Sequence, residues 1–163
     1  MEPLIYQTII ERYSNLSDLD DAEMQLLLKA KDALENAYAP YSQFQVGAAL
    51  LLENGDVITG NNQENVAYPS GICAERTAIF YASSQNPNMK ILKIAIAAKS
   101  PIQLVSTPVY PCGSCRQALV EYENKAQSPI TVIMMGEAGE IHRCQSIESL
   151  LPSFFHADFL KKS

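Results

Sequence analysis

Cys73-Ala74-Glu75-Arg76-Thr77-Ala78-Ile79-Phe80-Tyr81-Ala82-Ser83-Ser84, then Ile91-Leu92-Lys93-Ile94-Ala95-Ile96-Ala97-Ala98, then Pro111-Cys112-Gly113-Ser114-Cys115 read in turn as a helix, a buried strand and the opening of a second helix. Asn86-Pro87 halts the first helix, because proline disfavours helical geometry at the residue before it. Working outward, residues 46–52 and 57–60 flank Asn54-Gly55, a strong hairpin signal. The second helix runs to about residue 124, a strand follows at 130–135, and 136–140 turn into a short strand around Ile141. Residues 146–151 read as helical before Pro152. Upstream, a helix begins at Asp20 or Asp21, and its apolar stripe Met24, Leu27, Ala30, Leu34 and Ala37 recurs at three- and four-residue steps. Residues 4–13 read as one more helix, ended by Ser14-Asn15. Such alternation predicts an α/β fold, a sheet covered on both faces by helices.

The same segments carry the chemistry. Cys73, Cys112 and Cys115 can ligate one zinc ion through three thiols and leave a fourth position for water, which separates a catalytic zinc from a structural one. Cys73 and Cys112 each fall at the start of an expected helix, where unpaired amides and the helix dipole favour a thiolate. Glu75, two residues after Cys73, can stand beside that water without touching the metal. Three thiolates carry a charge of −3 against the +2 of zinc, and Arg76 is the cation placed to offset the excess. Cys144, 29 positions after Cys115, has no paired cysteine nearby and reads as a buried thiol. Neither His142 nor His156 has ligand spacing.

With 163 residues the chain suits one domain spanning residues 1–163. Its longest apolar run, 46–52, is far too short to cross a bilayer, so no membrane association is expected. The first residues lack the basic region of an export signal. Clustered cysteines in such a chain fit a reducing cytoplasm, where they bind metal or catalyse. A formal net charge of −6 with no basic tract argues against a nucleic-acid polymer as partner and for a small, uncharged substrate.

A C-x-E element with P-C-x-x-C is the arrangement of the zinc deaminases. Together with 38–44 (Tyr-Ala-Pro-Tyr-Ser-Gln-Phe), 46–51 (Val-Gly-Ala-Ala-Leu-Leu), 62–65 (Asn-Gln-Glu-Asn), Arg76-Thr77-Ala78, Arg116-Gln117 and Leu150-Leu151-Pro152, it makes the chain resemble the small homotetrameric cytidine deaminases of the zinc-dependent cytidine/deoxycytidylate deaminase family. The resemblance covers roughly residues 30–160. It implies a three-layer α-β-α fold with a mixed five-stranded sheet, one Zn²⁺ per chain, and a homotetramer with active sites shared between subunits. It also implies hydrolysis of cytidine and deoxycytidine to uridine and deoxyuridine: water activated on the metal attacks C4, Glu75 shuttles protons, and ammonia leaves. By the same resemblance, Asn62 and Glu64 hydrogen-bond the ribose, Phe44 packs on the base and the Ala74 backbone contacts it. Phe155 is implied to reach a neighbouring subunit's site, while Phe154 faces its own chain. Two departures stand out: residues 1–20 form an added segment, expected to be helical, and loop 99–110 is longer than usual.

Two other readings share these residues. A deaminase of another aminopyrimidine nucleoside, such as blasticidin S, would keep the zinc framework and differ around the sugar and base. A structural zinc module would recruit Cys144 as a fourth ligand.

Overall fold

In a computed structural model, which describes residues 1–156 and residue 160, the chain forms a six-stranded mixed sheet in the order β1-β6-β5-β4-β2-β3. The strands are β1 (Glu11–Tyr13), β2 (Gln45–Leu52), β3 (Val57–Asn61), β4 (Ile91–Lys99), β5 (Thr131–Met135) and β6 (Ile141–Cys144). Three helices, α1 (Asp21–Leu34), α2 (Ala74–Gln85) and α3 (Gly113–Ala126), cover it. Only β4 and β5 pair in parallel, because α3 carries the chain back across the sheet between them. β2 and β3 form the expected hairpin, in which Gly55 takes a φ of +88° that a side chain would strain.

Period-two alternation splits the core in two. Ala48, Leu50, Leu52, Ile94, Ile96, Val132 and Met134 pack with Ala74, Ala78, Ile79 and Ala82 of α2 and with Leu119 and Val120 of α3. Their neighbours Ala49, Ala95, Ala97, Ile133 and Met135 turn to the other face and meet Leu26, Leu27, Ala30 and Leu34 of α1. One helix below and two above give the three-layer α/β arrangement. Burying strands on both faces is what makes β4 a near-continuous apolar run.

The N-terminal segment departs from expectation. Residues 4–13 are not helical: residues 4–10 form no regular element and lead into β1, the sixth strand, which pairs antiparallel with β6. The cause lies far along the sequence. Arg143 of β6 donates to Glu11 and to the buried carboxylate of Glu23, at 3.0 Å, and its guanidinium lies 5.2 Å from the centre of the Tyr13 ring. Ile10 packs against the core on the α2–α3 face and Tyr13 on the α1 face, while Leu4, Ile5 and Ile9, which a helix would have gathered on one face, stay exposed. Residues 146–151 contain only a single 3₁₀ turn, Glu148–Leu150. Among the described residues no helix is long and apolar enough to cross a membrane.

The topology places the site. The ends of β3 and β4 lie at one margin of the sheet, where Asn61 pairs with Gly47 and Gly47 with Ala97. From that margin one connection leads into α2 and another into α3, so both helix N-termini open at the same place.

Candidate active site

Cys73 is the N-cap of α2 and Cys112 the N-cap of α3, and both have extended backbone angles. Their carbonyls accept the first helical bonds, from Thr77 at 3.0 Å and Arg116 at 2.9 Å. Cys115 lies in the first turn of α3 and is buried. The three Sγ atoms fall within 4.8 Å of one another, with 4.0 Å between Cys73 and Cys112 and 3.5 Å between Cys112 and Cys115. Thiolates on a tetrahedral zinc stand roughly 3.8 Å apart, for a Zn–S distance of about 2.3 Å. The donor set therefore fits zinc in spacing and in chemistry. Cys144 lies apart, donating to the Ser146 carbonyl at 3.3 Å, so no fourth thiol completes the set.

The electrostatics follow from two helix starts and one cation. A hydrogen bond from the Cys115 thiol, then one from Arg76, bring the Cys73 thiol down to about 5. Cys115 moves the opposite way, since it supplies that proton and is buried. Arg76 stands 3.9 Å from the Cys73 sulfur, and its buried Nε has no protein partner among the described residues. Glu75 is only 4% exposed. Burial pushes its carboxyl up to about 7; the negative charge at Cys73 adds to this, while its own amide, the Cys115 thiol and Arg76 pull against it.

Beside the thiols opens a cavity of about 860 Å³. Asn62, Glu64, Cys73, Arg76 and Cys112 line it, and the exposed Tyr41, Val66 and Tyr68 form much of its rim. The side chains of Asn62 and Glu64 are held from within. Asn62 accepts from the Val46 amide at 2.8 Å and donates to the Phe44 carbonyl at 2.9 Å. Glu64 accepts from the amides of Tyr41 and Ser42 and from the Ser42 hydroxyl, which holds its carboxyl below the usual carboxylate range. Phe44 is half-buried behind this wall and does not line the cavity, and Ala74 is fully buried at the start of α2. Phe155 lies outside the cavity of its own chain, 61% exposed, with its backbone clamped in both directions by the Gln117 side chain. Phe154 packs against the core.

Sequence reasoning passed over Tyr41 and Ser42 as functional groups, although both lie in a quoted motif. Their part is to fix Glu64 through two main-chain amides, which side-chain identity does not report, and through the Ser42 hydroxyl. It also missed the two-way pairing of Gln63 with Ile72, at 2.9 Å each way, which draws the ends of the 63–72 loop together.

Against known proteins, a model of the cytidine and deoxycytidylate deaminase zinc-binding region matches residues 20–130. A cytidine deaminase of Halalkalibacterium halodurans is 41% identical over 137 residues, 83% of this chain and 96% of that protein. One from Sporosarcina psychrophila is 37% identical over 83% of this chain and 93% of its own length. Among solved structures, a cytidine deaminase from Burkholderia pseudomallei superposes with a TM-score of 0.70 at 37% identity, covering 80% of this chain and 97% of the other. That of Mycobacterium tuberculosis gives 0.62 at 30% identity, covering 81% and 95%.

Proposed function

Because the chain belongs to the cytidine and deoxycytidylate deaminase zinc-binding family, we propose how its own residues carry out the deamination of cytidine. It is a hydrolase that deaminates cytidine at a zinc held by Cys73, Cys112 and Cys115. The observation that carries the reading is the buried Glu75 beside three thiols that converge at the mouths of two helices. Bound zinc supplies an acidified water as the nucleophile for C4 of cytosine. Glu75 would take one proton from that water and deliver it to N3, then take the second proton from the new C4 hydroxyl and pass it to the amine, so that ammonia leaves as the C4 carbonyl forms. Burial raises the proton affinity of the Glu75 carboxyl, which suits a group that must accept a proton before giving it up.

Arg76 tempers the charge of the thiolates and so keeps the metal a strong acid. Arg76→Ala is expected to lower kcat by about 10- to 100-fold, the usual range for partners of metal ligands, with KM within a few-fold. Steady-state kinetics on cytidine check this; a raised KM with unchanged kcat would make Arg76 a substrate contact instead.

The ribose meets Asn62 and Glu64. After its two internal bonds Asn62 keeps one N–H and one lone pair, and Glu64, held ionised, keeps acceptor capacity for a sugar hydroxyl. Deoxycytidine presents the same 3′ and 5′ hydroxyls and is turned over as well. The Ala74 backbone at the start of α2 meets the base, and Phe44 stands behind the Asn62 wall, supporting the pocket without lining it. The blasticidin S reading keeps the metal but leaves these ribose contacts unused.

The working enzyme is a homotetramer. Several observations support this: a cavity wider than a nucleoside needs, an apolar rim at Tyr68 and Val66, and Phe155 held outward by Gln117. A neighbour's Phe155 closes the cavity and excludes water, which strengthens the electrostatics at the zinc. The enzyme works in the cytoplasm, a reading supported by three thiols kept free for metal.

The test is an ultraviolet assay on cytidine, deoxycytidine, CMP, blasticidin S and a cytosine oligonucleotide, with light scattering of wild type and Phe155→Ala. The two nucleosides are expected to be the best substrates, the oligonucleotide poor even at low salt, and Phe155→Ala to raise KM. Efficient, salt-sensitive turnover of the oligonucleotide contradicts the nucleoside assignment, and a fully active monomer contradicts the shared site.

A further inference from the structure

The two stretches that set this chain apart, the N-terminal segment and the long loop before Pro111, meet at one chain of hydrogen bonds. The Tyr110 hydroxyl lies 2.6 Å from Nδ1 of His142, and Nε2 of His142 lies 2.9 Å from Glu140. Glu140 in turn accepts from Arg12 of β1 through Nε at 2.9 Å and the terminal nitrogen at 2.6 Å. Arg12 and then His142 hold the Glu140 carboxyl below its usual range, so it accepts. A neutral imidazole with its proton on Nε2 then satisfies every group: Nε2–H donates to Glu140, and Nδ1 accepts from Tyr110. The His142 side chain is 15% exposed, and its ring meets that of Tyr110 edge-on at 5.8 Å. Tyr110 also packs against the core, and the loop leading to it is laid on the β5–β6 turn by the Glu137 amide, which donates to Val105 at 2.8 Å.

Tyr110 is the second residue before Cys112, the most exposed of the three metal ligands. From the other side, Arg116 holds the same turn through the Pro111 carbonyl at 2.7 Å. We propose that His142 is a positioning residue that fixes the Pro111–Cys112 turn through Tyr110, and that β1, through Arg12 and Glu140, sets the orientation of its ring. The N-terminal strand is thereby coupled to the retention of zinc. Arg12, Glu140 and His142 all lie outside residues 20–130, the stretch matched by the family. The proposal rests on Cys112 being a zinc ligand and not on the identity of the substrate.

The experiment follows the rate at which a chelator strips zinc from the holoenzyme, together with kcat and KM on cytidine. Tyr110→Phe and His142→Phe are each expected to speed zinc loss by roughly tenfold, the low end for outer partners of a metal site, with KM within twofold. His142→Gln can accept from Tyr110 and donate to Glu140, and is expected to stay within about threefold of wild type, given that range. Arg12→Ala speeds loss less, because its pair is exposed, and adds nothing on top of Tyr110→Phe. Should His142→Phe fail to fold, Tyr110→Phe decides, since it deletes only a hydroxyl. Unchanged zinc loss in Tyr110→Phe, or additive effects of Arg12→Ala and Tyr110→Phe, would overturn the proposal. Wild type that never held zinc would instead sink the metal reading itself.

Discussion

Glu75→Gln is expected to keep its zinc and lose cytidine deamination by roughly 10⁴-fold, the upper end for one positioned acid–base group. The upper end applies because one carboxyl serves three times: at the water, at N3 and at the leaving amine. Glutamine matches glutamate in shape and fills the same buried space at the start of α2, where Glu75 is 4% exposed. The ligand sulfurs are untouched, so metal content stays at the wild-type level. Folding is expected to hold or improve slightly, because a neutral amide spares the desolvation that pushes the carboxyl up to about 7. Zinc analysis, a melting curve and the ultraviolet assay on one sample check all three statements. Activity within tenfold of wild type would remove Glu75 from the proton path.

Gly60→Ala acts by another route, through stability and not through proton transfer. A Cβ at position 60 would stand 2.6 Å from the Ala78 amide nitrogen and 2.7 Å from the Ala74 carbonyl, both backbone atoms of α2. Neither can rotate away, so helix and strand must part. A cost of about 3 kcal/mol is expected, the upper part of the range for overpacking. Moving α2 also moves Cys73 and Glu75, so zinc content and kcat fall together with the melting temperature. A variant that melts like wild type and retains its zinc would show that α2 adjusts freely against β3.

The contrast between these residues explains what the sequence could disclose. Cys73, Glu75, Cys112 and Cys115 were legible because catalytic zinc requires few ligand types and the motif sets their spacing. The β2–β3 hairpin was legible because Asn54-Gly55 encodes its own turn. Gly60 was not, since its importance lies in an α2 backbone that approaches only after the sheet has formed. Residues 4–13 were misread for a related reason. Their local pattern permits a helix, but Arg143, more than a hundred residues away, offers Glu11 a partly exposed ion pair and Tyr13 a stacked cation. Tertiary partners then decide for a strand, and the expected five strands become six. His142 looked idle because it lacks ligand spacing, and a search for metal ligands does not register a histidine that binds a tyrosine and a carboxylate.

Three thiolates and one zinc per chain make this protein a cytidine deaminase, and that dependence on the metal is open to direct measurement. It is tested most directly by stripping the purified protein with a chelator and titrating zinc back while cytidine turnover is followed. Activity is expected to vanish with the metal and to return in proportion to zinc, reaching its full value at one equivalent per chain. Full turnover of cytidine by the stripped protein, or none by the fully reloaded one, would contradict it.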